Sequence, residues 1–276
     1  MIRRLARELP RLIALSLAAL IVLAPFAYMV AFSVKSSSEI FSGSLSLLPA
    51  GLDGFGNYAR VLAERPILRY LLNGAIVCAG ILLFQLIFAI PCAYALAKLR
   101  FRGREFVLGV VLFGLLIPIQ ATSLPIYVGL AYTRLIDTYA ALIVPFASSV
   151  FAVFMFRQFF RTIPNDLIDS ARLDGCDEFS VITRIVLPLT MPAATAFGIF
   201  SVVSHWNDLF WPLIAIRSPE LNTPPIGLLA FRSAEAGDRY GELMAGTAII
   251  TAPLVLAFLF AQRRFIEGIS LGALKG

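Results

Sequence analysis

From Leu12 to Phe32 the chain runs 21 residues without one charged side chain, and apolar stretches of similar kind return five more times. That feature limits the fold more than any other. A bilayer's hydrocarbon core takes roughly 20 helical residues to cross, and backbone groups inside it must be paired within the segment that crosses. The runs Leu12–Phe32, Tyr70–Ala97, Phe106–Leu130, Tyr139–Phe156, Met191–Ile216 and Leu243–Ala261 therefore predict six transmembrane helices. Composition agrees, because 59% apolar and 14% charged residues leave too few charges to cover a water-soluble globule of 276 residues. The expected fold class is an all-α integral membrane protein.

The first run follows the basic segment MIRRLARELPR. It is longer than a signal-peptide core and no small-x-small site follows it, so a retained span is expected. Charge gives the orientation. Of the 23 Lys and Arg residues, fifteen fall in the two termini, the loop around Lys98–Arg104 and the segment 157–190, and eight fall in the opposite set of loops. The positive-inside rule places both termini and 157–190 in the cytoplasm. The same distribution explains the basic pI through membrane flanks, with no nucleic-acid partner. The expected organisation is a first span with an extracytoplasmic loop over 1–68, a transport domain over 69–263, and a cytoplasmic tail over 264–276.

Chemistry of its own is missing. There is no G-x-x-x-x-G-K-[ST] phosphate loop, no G-x-S-x-G, and no H-E-x-x-H around the single histidine, His205. Cys78, Cys92 and Cys176 have neither disulfide nor metal spacing. No catalytic residue, metal or cofactor is expected, and the chain does not read as an enzyme. The acid inside an apolar run is Asp208, in His205-Trp206-Asn207-Asp208. It lies about 17 residues from the cytoplasmic entrance at Met191, towards the outer interface. It is either a packing residue or part of a solute path, with Trp206 and Trp211 as interfacial anchors. Asn73 and Gln85 are expected to bond between helices. Between Pro118 and Pro125 a loosened helix is expected, with Gln120, Thr122 and Ser123, alongside Asn207 and Asp208, as candidates for a translocation path.

The segment around Pro164–Pro188 reads as helix, glycine elbow, helix. Asp166–Asp174 has a helical pattern, Gly175 sits where a left-handed cap belongs, and the second helix is expected to stop at Leu187-Pro188. Leu167, Ile168, Leu173, Phe179, Val181, Ile182 and Ile185 would be costly to leave in water. Some can pack on the chain's own helix ends. The elbow is left for a partner.

Asp169-Ser170-Ala171, then Gly175 four residues after Ala171, then Ile185-Val186-Leu187-Pro188 resemble the EAA loop of binding-protein-dependent ABC importer permeases. That loop reads E-A-A, three residues, G, nine residues, I-x-L-P. Asp and Ser here replace the first Glu and Ala. FRQFFRTIPNDL, WNDLFWPL, TPPIGLLAF and the ending QRRFIEGISLGALKG look like the maltose-permease-like carbohydrate uptake family, from about Arg69 to Gly276.

The resemblance implies a type I ABC importer transmembrane fold in a bacterial inner membrane, surrounded by lipid. It implies a sister permease in a heterodimer, a pair of ATPase subunits and an extracytoplasmic solute-binding protein. Asp169, Ser170, Ala171, Leu173, Asp174, Gly175, Cys176 and Asp177 become the expected ATPase-coupling contact, with Gly268, Gly272, Lys275 and Gly276 as a second contact. The cargo implied is a sugar or oligosaccharide. Alternatives are another solute such as glycerol phosphate, an ion-coupled secondary carrier, or a scaffold that transports nothing.

Overall fold

In the computed structural model of the protein, every regular element among the described residues is a helix. The structure describes the backbone of residues 2–42, 46, 48, 49, 51, 53–229, 231 and 239–273, and the side chains of these except 2–7, 53 and 263–273. Two compact units are formed, one from Met1–Leu68 with Gly227–Pro253, the other from Arg69–Ile226 with Leu254–Gly276.

The first unit begins with α1 (Ile2–Ser33), whose apolar stretch Glu8–Ser33 has its core wholly exposed on this chain. Two short helices follow, α2 (Ser37–Ile40) and α3 (Gly56–Glu64). The end of α1 leaves carbonyls without helical donors. The buried Asn57 supplies them, its amide donating to the Ser33 and Lys35 carbonyls at 3.0 and 2.9 Å. Arg60 pairs with the buried Glu242 at 2.7 Å, and Arg239 grips both oxygens of Glu64 at 2.7 and 2.9 Å.

The second unit carries most of the core. Its elements are α4 (Ile67–Lys98), α5 (Arg104–Gly114), α6 (Ile119–Tyr132), α7 (Tyr139–Ile143, extended by a 3₁₀ turn to Phe146), α8 (Val150–Phe160), α9 (Asn165–Leu173), α10 (Glu178–Val181), a π turn (Ile182–Val186), α11 (Leu187–Trp206) and α12 (Phe210–Ala215). The helices α13 (Pro224–Leu229) and α14 (Tyr240–Ala273) run across the division between units. One apolar cluster joins Ala93, Tyr94 and Leu96 of α4 to Phe156 and Phe160 of α8, Ile168 and Ala171 of α9, and Phe197 of α11. A second joins Val77 and Ile81 of α4 to Leu142 of α7 and Trp211 of α12.

Among the described residues, four helices are long and apolar enough to cross a membrane: Glu8–Ser33, Ile67–Lys98, Glu178–Trp206 and Tyr240–Gln262. Two bent pairs, α5 with α6 at 98° and α7 with α8 at 43°, raise the number to six if each pair is one span. Asn73 bonds between elements as expected, donating to the Glu220 and Asn222 carbonyls at 2.9 Å and accepting from Tyr139 at 2.6 Å.

Four local expectations are corrected. The Pro118–Pro125 stretch is not loosened: the break lies before it, and α6 is helical from Ile119 onward with Pro118 as its extended cap. Proline's fixed φ suits a helix start, and Pro125 inside removes one hydrogen bond without ending the helix. Pro188 does not stop the second elbow helix. The π turn Ile182–Val186 shifts the hydrogen-bond register ahead of the proline ring, so the helix runs on from Glu178 to Trp206. The span expected over Met191–Ile216 therefore starts earlier and ends at Trp206, because the chain turns at Asn207 before α12. Trp206 and Trp211 are 6% and 1% exposed, and Trp211 Nε1 donates to the Ala141 carbonyl at 2.8 Å. They are packing residues in this chain, not interfacial anchors.

Candidate coupling elbow

The segment from Asn165 to Val186 is built around one glycine. The helix α9 turns Ile168 and Ala171 into the core, 2% and 7% exposed, against the α4 and α8 clusters. Burying a side chain the size of Ile168 is worth about 1.5–3 kcal/mol, which fixes the face on which α9 lies. Lys98, at the end of α4, anchors its start by donating to the Ile163 carbonyl at 2.5 Å and to Asn165 Oδ1 at 2.8 Å.

The helix ends in a Schellman turn. Gly175 has φ +85°, its amide donates to the Arg172 carbonyl at 3.0 Å, and the Cys176 amide reaches back to the Ala171 carbonyl at 3.0 Å. A Cβ built on Gly175 meets nothing within 4 Å, so backbone conformation alone makes glycine the residue that fits there. Asp177 then starts α10, its carboxylate accepting from the Ser180 amide at 3.0 Å. Hydrogen bonding from the Ser180 side chain and amide holds the Asp177 carboxyl below its ordinary range.

A clamp closes the elbow across this turn. Arg172 meets Asp169 Oδ1 at 3.0 Å and Glu178 Oε1 at 2.8 Å, while Tyr94 donates to Glu178 Oε2 at 2.6 Å. Of the residues singled out in the sequence, Ala171 is therefore buried scaffold, Asp169 is paired, Asp177 is a helix cap and Gly175 is the turn. The pairing of Arg172 with Glu178 and Tyr94, and the Lys98 anchor, were not foreseen. These residues meet only because Gly175 folds the chain back and α4 lies beneath it.

The elbow exposes large apolar side chains among its acids, Asp174 and Asp177 being exposed as well. Leu173 is 89% exposed, Phe179 73% and Leu167 43%. A rigid turn with its backbone bonds closed and large apolar side chains outward is suited to docking.

The proposed path residues are not joined to one another by their hydrogen bonds. Gln120 is exposed, and the Thr122 and Ser123 hydroxyls bond the Ile119 and Gln120 carbonyls of their own helix at 3.1 and 2.8 Å. Asn207 donates to the Val203 carbonyl at 2.8 Å. Asp208 accepts from the Phe210 and Trp211 amides at 3.0 and 3.3 Å, capping α12. Gly268 and Gly272 lie on the α14 backbone, whereas Lys275 and Gly276 lie outside the described residues.

The profile of a family described as binding-protein-dependent transport system inner membrane component matches residues 85–270, a range that holds the whole elbow. The chain belongs to that family. It is a multi-pass inner-membrane permease subunit of a binding-protein-dependent ABC importer, not an enzyme. Over 246 residues it is 36% identical to an arabinooligosaccharide transport system permease of Bacillus subtilis, with 88% of this chain and 87% of that one covered. An sn-glycerol-3-phosphate transport system permease of Brucella abortus is 31% identical over 263 residues, covering 92% of this chain and 93% of that one. The crystal structure of a bacterial ABC transporter involved in the import of the acidic polysaccharide alginate holds a chain of the same fold. The TM-score is 0.81 at 23% identity, over 94% of this permease and 96% of that chain.

Proposed function

We propose that this permease imports a sugar or oligosaccharide, driven by a separate ATPase that docks on the Gly175 elbow. The carrying observation is the exposure of Leu173 and Phe179 beside a turn whose Gly175 and Cys176 amides bond back to the helix before it. Such a tip offers an ATPase groove about 25 cal/mol for each Å² of apolar surface covered. The elbow helix continues without interruption from Glu178 through Trp206, so a push at the elbow is delivered directly to a membrane-crossing segment.

The remaining architecture follows the same reading. Six spans result from counting each bent pair once, and the excess of Lys and Arg supports cytoplasmic termini. Residues 69–263 form the transport domain, and the tail through Gly268, Gly272, Lys275 and Gly276 makes a second ATPase contact. A sister permease completes the path as a heterodimer, and an extracytoplasmic binding protein delivers the solute. The arabinooligosaccharide relative supports a sugar cargo. A second reading, glycerol phosphate, is favoured by the Brucella relative.

The test is reconstitution with the cognate sister permease, ATPase and binding protein, followed by uptake of arabinotriose and of sn-glycerol 3-phosphate and by solute-stimulated ATP hydrolysis. Gly175→Pro forces φ to about −65° and removes the amide that bonds Arg172. Stimulation is expected to vanish together with ATPase co-purification. Unchanged stimulation refutes coupling through the elbow, and uptake of glycerol phosphate in place of arabinotriose refutes the sugar.

A further inference from the structure

Where α4 ends and α5 begins, positive charge gathers without acids to answer it. Lys98, Arg100, Arg102 and Arg104 place four cations in seven residues. Two more, Arg157 and Arg161, come from the end of α8. Arg157 is 7% exposed, and its Nε donates to the Leu96 carbonyl at 3.3 Å. Arg104 Nη1 reaches the Leu99 carbonyl at 3.5 Å, so both guanidinium groups are drawn to the carbonyl end of α4. The charges that bear on Arg157 are those of Arg161, Glu105 and Arg104.

Glu105 is already paired with Arg104 at 3.1 Å. The side chains of Arg100, Arg102 and Arg161 form no hydrogen bond or ion pair among the described residues. The bond to Leu96 is the one that the Arg157 side chain makes among them. A cation buried that far is costly unless an anion pairs with it, and the acids of this chain do not supply one.

The surroundings say which anion fits. Arg104 opens α5 and Arg161 follows α8, helices of the two bent spans, which puts the cations at headgroup depth. Below them α5 exposes Phe106, Val110 and Phe113, at 76%, 56% and 64%. Their i, i+4, i+7 spacing makes one apolar track. Cations at the head of an apolar track match the outline of a phospholipid. The ATPase suits the cluster less well. Its proposed docking tip exposes Asp174 and Asp177, and a surface that receives acids is not one that seeks cations.

We infer that the junction of α4, α5 and α8 binds the phosphate of one anionic phospholipid through Arg104, Arg157 and Arg161, with an acyl chain along Phe106, Val110 and Phe113. Guanidinium forks meet phosphate oxygens two at a time. A zwitterionic headgroup brings its own cation and offsets the excess charge less. The bound lipid ties α5 and α8 to the end of α4, the same end from which Lys98 anchors the elbow. The inference goes beyond the import reading and stands whichever solute is carried.

The test uses the complete transporter in detergent, with dioctanoyl phosphatidylglycerol, dioctanoyl phosphatidylcholine and inorganic phosphate as probes. Salt at about 0.5 M shortens the reach of surface charge to roughly 4 Å, and the rise of the thermal midpoint with ligand reports affinity. Phosphatidylglycerol is expected to bind at least tenfold more tightly than phosphatidylcholine. Arg161→Gln, at an exposed residue without a partner, should weaken it about tenfold, and Arg104→Gln about fivefold. Arg102→Gln removes the same charge from the adjacent turn and should cost less than about twofold. Arg157→Lys keeps the charge, loses the fork and should cost about threefold; if it fails to fold, the Arg104 and Arg161 variants decide. Equal affinity for the two lipids overturns the site, and so does a loss in Arg102→Gln as large as that in Arg161→Gln. Displacement of phosphatidylglycerol by millimolar phosphate would assign the cluster to a free anion and overturn the lipid. Loss of ATPase co-purification in Arg161→Gln would assign it to the ATPase and overturn the lipid as well.

Discussion

The elbow at Gly175 and the break at Ala147–Ser149 both interrupt a helix, and they do it in opposite ways. At the elbow the backbone satisfies itself: the Gly175 and Cys176 amides return to the Arg172 and Ala171 carbonyls. Large apolar side chains then face outward. At the break a carbonyl is left over, and a side chain from another helix, Gln85, must supply the donor. Hydroxyls and an imidazole then face a recess within a membrane-crossing region. Each place carries the polarity its surroundings disfavour, apolar in water in one case and polar in lipid in the other. A self-contained turn survives substitution of its outward residues, whereas a break closed by a remote side chain depends on that one residue.

The comparison predicts a functional loss without a structural one at the elbow. Leu173→Asp leaves the Schellman turn intact, because an 89% exposed side chain holds nothing in place. If Leu173 is an anchor in the ATPase groove, losing it is worth about 2–4 kcal/mol, so affinity for the ATPase should fall more than tenfold. The thermal midpoint of the purified permease should not move. A midpoint that drops with the affinity would assign Leu173 to the fold.

At the break the expectation is reversed. Gln85→Leu leaves the Phe146 carbonyl, Ser201 and His205 without their partner. Each buried orphan costs about 1–3 kcal/mol, so the midpoint in detergent should fall by several degrees. Gln85→Glu should not restore it, since a carboxylate cannot donate to the Phe146 carbonyl. Full stability in Gln85→Leu would show that the break is held by packing alone.

A smaller effect separates the clamp from the turn. Arg172 and Glu178 are roughly a third and a half exposed, and such pairs contribute about 1 kcal/mol or less. Arg172→Ala should therefore lower ATPase stimulation by two- to fivefold, well short of Gly175→Pro. An equal loss in the two variants would make the clamp, not the glycine, the element that sets the elbow.

These contrasts track what the chain reveals before it folds. The Gly175 turn was legible because its causes lie within a few residues: an apolar face at helical spacing, then a residue free to take φ +85°. The family spacing around it was legible for the same reason. Gln85 could be read as a polar residue needing a partner, but its partners Phe146, Ser201 and His205 lie 61, 116 and 120 residues away. The Pro188 stop failed because the π turn Ile182–Val186, four of whose five residues are β-branched, has no marker in residue types that tells it from ordinary helix. The Pro118–Pro125 region misled because two prolines close together suggest unwinding, yet Pro118 serves as a helix start and only the chain before it bends.

Asp208 provides the finest test, because sequence alone left it between packing and path. Its carboxylate accepts from the Phe210 and Trp211 amides, the geometry of a helix cap, and Trp211 in turn bonds the Ala141 carbonyl. An acceptor oxygen is all that role needs. Asp208→Asn keeps one, so stability should change by no more than a few tenths of a kcal/mol, while Asp208→Ala should lose about 1 kcal/mol. Uptake KM should stay within twofold of wild type in Asp208→Asn. A large rise in KM at unchanged stability would put the Asp208 charge on the solute path, at the turn that ends α11.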